Sequence, residues 1–205
     1  MECYHSLAKV LKSNKLSINV GNEGAFAPNG IPSNEAPFTY MTEAVKNAGY
    51  VPGQDVGFSI DAAASEFYQD GKYNLAVENR VLTAQELIAY YSTWLEKYPI
   101  ATVEDMFHED DWENWTEFKK ITDQHNVPLI GDDLTVTNVI RLQKAIDTKA
   151  ISAILIKLNQ IGTLTETVDC CMLAKKHGLM TTTSHRGGGE TNDATMVDVA
   201  VAVGS

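Results

Sequence analysis

The chain has 205 residues, of which 44% are hydrophobic, and this length and composition suffice for one sizeable core. Its formal net charge is −11 without any basic block, which argues against nucleic-acid binding. No apolar run is long enough to cross a bilayer, and the cysteines lack metal or redox spacing, which indicates a reducing, cytoplasmic compartment. The composition therefore predicts a globular chain with neither nucleic acid nor membrane as a partner.

Apolar periodicity predicts helices and strands in regular alternation. In chain order the predicted elements are helix 2–14, a short strand at 17–21, helix 34–48, a strand at 57–60, a surface excursion at 65–80, helix 86–98, strand 100–104, helix 111–124, strand 127–131, helix 137–147, strand 151–157, helix 163–177, strand 179–184 and helix 193–203. Asp70-Gly71 predicts a tight turn, and Thr83 with Glu86 predicts a capping box.

Five of the six predicted strands, those that end near Asp61, Glu104, Asp132, Lys157 and Ser184, are short apolar runs without alternation, as in parallel strands that are buried on both faces. Their alternation with helices predicts an α/β fold of the (βα)8 TIM-like barrel type, with about six βα units in this chain. A closed barrel needs eight strands, so residues 1–205 are expected to lack barrel pieces at both ends. Unpaired edges near 18–20 and 179–184 predict a homodimer or completion by another chain.

Acidic residues follow three of the apolar runs, namely Asp61, Glu104 and Asp132. The C-terminal ends of barrel strands form the active site in this architecture, and three carboxylates there are hard oxygen ligands that suit Mg²⁺. Each acidic residue could instead cap the helix that follows it. Asp133 is the better candidate for a cap or for a residue that orients a neighbouring ligand.

Lys157 ends another apolar run, and a lysine in such a place is seldom buried unless it is paired or used. It could act as a general base or form a salt bridge to one of the carboxylates, and the two interpretations are compatible. Glu23 lies in a Gly-Asn-Glu-Gly segment that permits close approach to a ligand, although the residues alone favour an ordinary exposed turn.

The segment Ser184-His185-Arg186-Gly187 and the glycines after it end the last predicted strand. Arginine offers a fork for phosphate or carboxylate, and glycines leave backbone N–H groups free to face an anion. The alternative is a flexible loop with a histidine that faces the core. An arginine beside a histidine at a barrel mouth favours the anion site.

Long motifs that run through nearly the whole chain resemble the enolase family: NVGNEGAFAPN, SIDAAASEFYQDGKYNL, VEDMFHEDDWENW, GDDLTVTN, LIKLNQIGTLTE and SHRGGGET. The resemblance implies that residues 1–205 form most of an enolase-type C-terminal barrel domain and carry out the glycolytic conversion of 2-phosphoglycerate to phosphoenolpyruvate. It implies Mg²⁺ on Asp61, Glu104 and Asp132, Lys157 as the base and Glu23 as the acid. The implied substrate-binding residues are Glu104, Asp132, Lys157, Ser184, His185, Arg186 and Gly187.

The chain also departs from the family pattern. Ala25 and Met106 replace a glycine and a proline, and Gly187 stands where the family has a serine. The family's N-terminal α+β domain, its second-metal serine and a second lysine would lie outside residues 1–205. The isolated chain is therefore expected to be weakly active or inactive. The alternative is a non-catalytic, enolase-derived structural or interaction protein; an acid-sugar enzyme of the same superfamily fits less well.

Overall fold

The computed structural model describes residues 1–21, 23–186 and 193–205. The helices are α1 (Glu2–Ser13), α2 (Ala36–Asn47), α3 (Ala84–Lys97), α4 (Trp112–Gln124), α5 (Val139–Thr148), α6 (Leu158–Ile161), α7 (Leu164–Lys176) and α8 (Thr195–Val203). The strands are β1 (Phe58–Asp61), β2 (Tyr68–Gln69), β3 (Lys72–Leu75), β4 (Arg80–Leu82), β5 (Ile100–Glu104), β6 (Leu129–Gly131), β7 (Ala153–Ile156) and β8 (Met180–Thr183). These elements follow the predicted order closely.

Five strands form one parallel sheet in the order β1-β5-β6-β7-β8, with helices between them along the chain. Glu104 is in register with Ile130, and Gly131 with Ile154, so successive strands end near the same edge. All four residues of β7 are buried. The predicted α/β fold of the barrel type is confirmed, and within the described residues the barrel is incompletely closed.

The prediction of a strand at 17–21 is wrong. Residues 17–21 form no strand, and Val20 makes only an isolated bridge to Phe26 while 53% of it stays exposed. The apolar residues of this segment alternate with Ser17 and Asn19, so it offers too little apolar surface for a strand that is buried on both faces. The outermost strands of the described sheet are consequently β1 and β8.

The chain divides into two compact units, of which the first comprises residues 1–58 and 69–101. In this unit α1 packs against α2, and Phe38 lies 5.1 Å from Trp94 and 4.8 Å from Tyr98 between ring centroids. A small antiparallel sheet has the order β2-β3-β4. Asp70 and Gly71 both have positive φ between β2 and β3, which confirms the predicted tight turn.

The second unit comprises residues 59–68 and 102–205 and contains most of the parallel sheet. Helices α5 and α8 each contact α7, which itself packs on β7 and β8. Earlier in the same unit, the ring of Phe107 packs edge-on against Trp115 and Phe118 of α4. Among the described residues, no helix combines the length and the apolar character that crossing a bilayer requires.

The predicted capping box at the start of α3 is confirmed. Glu86 N donates to Thr83 Oγ1 at 3.3 Å, and Thr83 N donates to Glu86 Oε2 at 2.8 Å. We expect Thr83→Ala to lower the free energy of unfolding by about 1 kcal/mol, because it leaves a helix N–H without its acceptor. Urea unfolding measures this change. The control is Thr93→Ala, an exposed position on the same helix, which should change stability little; equal losses would contradict the capping role.

The cysteines also give a measurable consequence of packing. Cys170 and Cys171 are fully buried in α7, whereas Cys3 is partly exposed. Burial, with a smaller contribution from Cys171, raises the pKa of the Cys170 thiol to about 12. Because the thiolate is the reactive form, we expect a thiol reagent to label Cys3 in the native chain and the α7 pair only after unfolding. Rapid labelling of all three native cysteines would show that α7 does not protect its thiols.

Candidate active site

Polar side chains stand at the carboxyl ends of all five neighbouring strands of the parallel sheet. Across the sheet they are Asp61 at the end of β1, Glu104 at the end of β5, Asp132 after β6, Lys157 after β7 and Ser184 after β8. Their order in space equals their order in sequence, because each strand is added beside the one before it. The sheet therefore gathers the predicted strand-end residues along one edge.

Asp132 is the centre of a hydrogen-bonded network at this edge. Lys157 Nζ donates to its Oδ2 at 2.5 Å, and the exposed fractions of the two side chains are only 15% and 10%. Gln160 Nε2 donates to the other carboxylate oxygen of Asp132 at 3.2 Å. Thr137 Oγ1 donates to Gln160 Oε1 at 3.1 Å and accepts from Lys157 N at 2.9 Å. Both oxygens of Asp132 are thus oriented by groups from the loop and helix beyond β7.

Asp105, the residue after Glu104, is a second anchor of the edge. It is 4% exposed, and its two carboxylate oxygens accept from Asp132 N at 3.0 Å and from Asp133 N at 2.9 Å. Carboxylate oxygens of Asp105, Asp132 and Asp133 lie within 4.8 Å of one another, so this acidic triad could hold a metal ion. Burial raises the pKa of the Asp105 carboxyl to about 8, against the lowering effect of the two N–H groups.

The Glu104 carboxyl has a raised pKa in this acidic cluster. Burial is the largest cause that raises its pKa to about 7, and the negative charges of Asp61 and Asp132 raise it further. Lys157 is the nearby group that opposes the shift. Burial and Asp132 also raise the pKa of Asp133. The Lys157 ammonium therefore faces several buried or half-buried carboxylates, and a divalent cation would relieve their repulsion.

Two overlapping sets of carboxylates are candidates for holding a hard cation. The predicted set is Asp61, Glu104 and Asp132, all at strand ends, and the clustered set is Asp105, Asp132 and Asp133. Both consist of carboxylate oxygens, which suit Mg²⁺ or Ca²⁺ better than softer metals. Asp132 belongs to both sets, so it is the residue on which either assignment depends.

The loops that carry these groups hold strained backbone. Ala63, Asp105, Val136 and Thr137 have φ values of 45°, 44°, 44° and 55°, in the left-handed region that residues other than glycine rarely occupy. Val136 and Thr137 are β-branched, for which this conformation is especially costly. Such strain persists only where surrounding contacts determine the backbone, and it is concentrated at functional sites.

The described residues of the predicted phosphate side and the predicted acid lie nearer the surface than Asp132 does. Ser184 N donates to Ile156 O at 2.9 Å and so continues the pairing of β8, while His185 and Arg186 follow it and are exposed. Glu23 belongs to the first compact unit, where it lies exposed in the turn closed by Gly24 N donating to Gly21 O. Gly187 lies outside the described residues.

Reasoning from sequence missed Asp105, Gln160 and Thr137. The sequence did contain one signal for Asp105, since it directly follows a strand-end glutamate and a second acidic pair follows the next strand. No comparable pattern marks Gln160 or Thr137, whose contacts depend on how the loops after β6 and β7 fold.

The fold and the site define an α/β protein with a parallel, barrel-type sheet and an acidic site at the carboxyl ends of its strands. The family model described as "Enolase, C-terminal TIM barrel domain" matches residues 1–205. The chain belongs to this family.

The ion pair between Lys157 and Asp132 gives a prediction for stability. We expect Lys157→Met to lower the free energy of unfolding of the metal-free chain by about 3 kcal/mol, because it leaves a buried carboxylate among others of like charge. Adding Asp132→Asn to Lys157→Met should recover most of the loss. Chemical denaturation of the single and double variants measures both effects.

A surface pair provides the matched control for this experiment. Lys120 contacts Glu117 at 2.5 Å, with side chains that are 61% and 47% exposed. We expect Lys120→Met to change stability by less than about 0.5 kcal/mol, since exposed pairs contribute little. If the two lysine substitutions had equal effects, the Lys157 pair would have no special role in stability.

Proposed function

We propose that the chain acts in the Mg²⁺-dependent dehydration of 2-phosphoglycerate to phosphoenolpyruvate and water. Lys157 is the base and Glu23 is the acid in this proposal. The observation that supports it most is the contact between Lys157 and Asp132, within a series of carboxylates on neighbouring strand ends, in a chain of the enolase family. The family match by itself supports an enolase-type domain and leaves the reaction to be tested.

The proposed reaction moves one proton in each direction. The Lys157 ammonium first gives one proton to solvent. Its Nζ then takes the proton from C2, and the electron pair of that C–H bond forms the C2–C3 double bond. The C3–O bond breaks, and the departing hydroxyl receives a proton from the Glu23 carboxyl to become water. The base thus ends as an ammonium and the acid as a carboxylate, so atoms and charge balance.

The C2 proton is only weakly acidic because it lies next to a carboxylate, whose negative charge grows as the proton leaves. Mg²⁺ held by Asp61, Glu104 and Asp132 would supply the positive charge that stabilises this carboxylate. Gln160 and Lys157 already orient both oxygens of Asp132. Pre-oriented ligands cost no reorganisation during the reaction, which is a main source of enzymatic rate.

The phosphate of the substrate needs positive charge beyond β8. Arg186 and His185 follow that strand, and the planar guanidinium can donate two parallel hydrogen bonds to a phosphate. We assign these two residues, with Ser184 and the backbone at Gly187, to the phosphate side. Glu104, Asp132 and Lys157 would contact the carboxylate and C2 side.

A non-catalytic structural or interaction role is the second candidate. The sheet of five strands, incompletely closed within the described residues, favours it. In either case we propose that another chain or a homodimer partner completes the barrel. We also propose a reducing, cytoplasmic location, because the three cysteines form no disulfide.

Exchange of the C2 proton separates the two candidates. We expect the chain, given Mg²⁺ and 2-phosphoglycerate in D₂O, to exchange that proton with solvent, because this half-reaction needs only the base and the metal. Full turnover, followed by the absorbance of phosphoenolpyruvate, should be well below the typical ~10 s⁻¹ for enzymes. We expect slow turnover because the family's second-metal serine and second lysine are not among residues 1–205. Loss of one such charge-stabilising group typically lowers the rate by about 10²–10³.

Substitutions define what would count against the proposal. Lys157→Ala should abolish exchange and turnover, Glu23→Gln should abolish turnover alone, and Lys176→Ala, an exposed lysine on α7, should change neither. Proton-exchange NMR and the absorbance assay measure these effects. Binding of substrate and Mg²⁺ without any exchange would instead support the non-catalytic role.

A further inference from the structure

We propose that Asp105 is a positioning residue, which fixes the proposed metal ligand Asp132 through the backbone instead of binding the metal itself. The identity of Asp132 as a ligand rests on the proposed function. The positioning of its backbone by Asp105 rests on contacts within the second compact unit alone.

Asp105 connects three of the loops at the carboxyl edge of the sheet. Its side chain accepts from the N–H groups of Asp132 and Asp133 after β6. Its own N–H donates to Ile130 O at 3.3 Å, and its carbonyl accepts from Ala64 N at 3.0 Å in the loop after β1. Asp105 therefore links the three loops that follow strands β1, β5 and β6.

Two successive N–H groups that point at one carboxylate form a specific arrangement. The donor distances of 3.0 and 2.9 Å place one N–H on each oxygen of Asp105. An aspartate is the residue that can accept both with a short side chain, because its two oxygens are both acceptors. The pair of hydrogen bonds fixes the direction in which the chain leaves β6, and with it the starting point of the Asp132 side chain.

The same contacts argue against Asp105 as a direct ligand. Its side chain directs both oxygens toward backbone donors of the next loop. Asp132, by contrast, receives its hydrogen bonds from Lys157 and Gln160 side chains, which can move away from a carboxylate more easily than backbone can. Supporting residues of this kind commonly change metal affinity by about 10–100-fold when they are replaced.

Asp105→Asn tests the proposal because it keeps the shape of the side chain while an NH₂ replaces one acceptor oxygen. Amide hydrogen exchange at Asp132 and Asp133, measured by NMR without metal, reports the two hydrogen bonds directly. We expect protection in the unchanged chain and about tenfold faster exchange at one or both amides after substitution. Titration calorimetry with Mg²⁺ should show about 10–100-fold weaker binding in the same variant.

Two further variants separate positioning from ligation. Asp133→Asn removes a carboxylate of the acidic triad but keeps its backbone N–H, so we expect it to weaken Mg²⁺ binding less than Asp105→Asn does. If all three aspartates were ligands, the two substitutions would have similar effects. Asp169→Asn, at an exposed position on α7, is the control and should alter neither exchange nor binding.

Each remaining outcome has a definite meaning. Unchanged amide exchange in Asp105→Asn overturns the proposal whatever the metal does, and lost Mg²⁺ binding in that case would identify Asp105 as a ligand. Faster exchange with unchanged Mg²⁺ affinity also overturns it, since the backbone would then not position a ligand. If the unchanged chain binds no Mg²⁺, the proposed function fails, and the exchange rates alone decide whether Asp105 holds the turn.

Discussion

Crowding of like charges at the carboxyl edge of the parallel sheet is the constraint on which the site depends. Parallel strands end at the same edge, so an acidic residue after each strand brings the carboxylates together whether or not they attract one another. Burial first, and then the negative charges of Asp61 and Asp132, raise the pKa of Glu104 to about 7, while Lys157 opposes this shift. The fully buried residues of β7 and the apolar core around them must stabilise a fold that holds these charges in place.

The sheet brings the residues to one edge, but the loops determine their orientation. Strained conformations at Val136 and Thr137 turn the chain after β6, and the hydroxyl of Thr137 then contacts both the Lys157 backbone and Gln160. Space is also tight at Gly131, the last residue of β6. A Cβ at this position would lie 3.2 Å from Ile151 Cγ2, so the Ile151 side chain would have to move by a few tenths of an ångström to accept a larger residue.

The sequence predicted the sheet well because each strand has a local cause that can be read one segment at a time. Buried strands need continuous apolar runs, and residues 153–156 and 129–131 have them. The segment 17–21 was assigned wrongly because its apolar residues alternate with Ser17 and Asn19, unlike the continuous runs of the strands that form. Asp105 was missed for a different reason: its role comes from N–H groups 27 and 28 residues away along the chain, which no local pattern reveals.

Asp132 joins the two halves of the proposed chemistry. Its Oδ2 contacts the ammonium of Lys157, and the same carboxylate belongs to both candidate ligand sets. A carboxylate that is contacted by an ammonium and by a divalent cation shares its charge between them, so each weakens the hold of the other. Such coupling is reciprocal. In the proposed function, the state of the base and the occupancy of the metal site are therefore linked through one side chain, and the residues that orient Asp132 influence both.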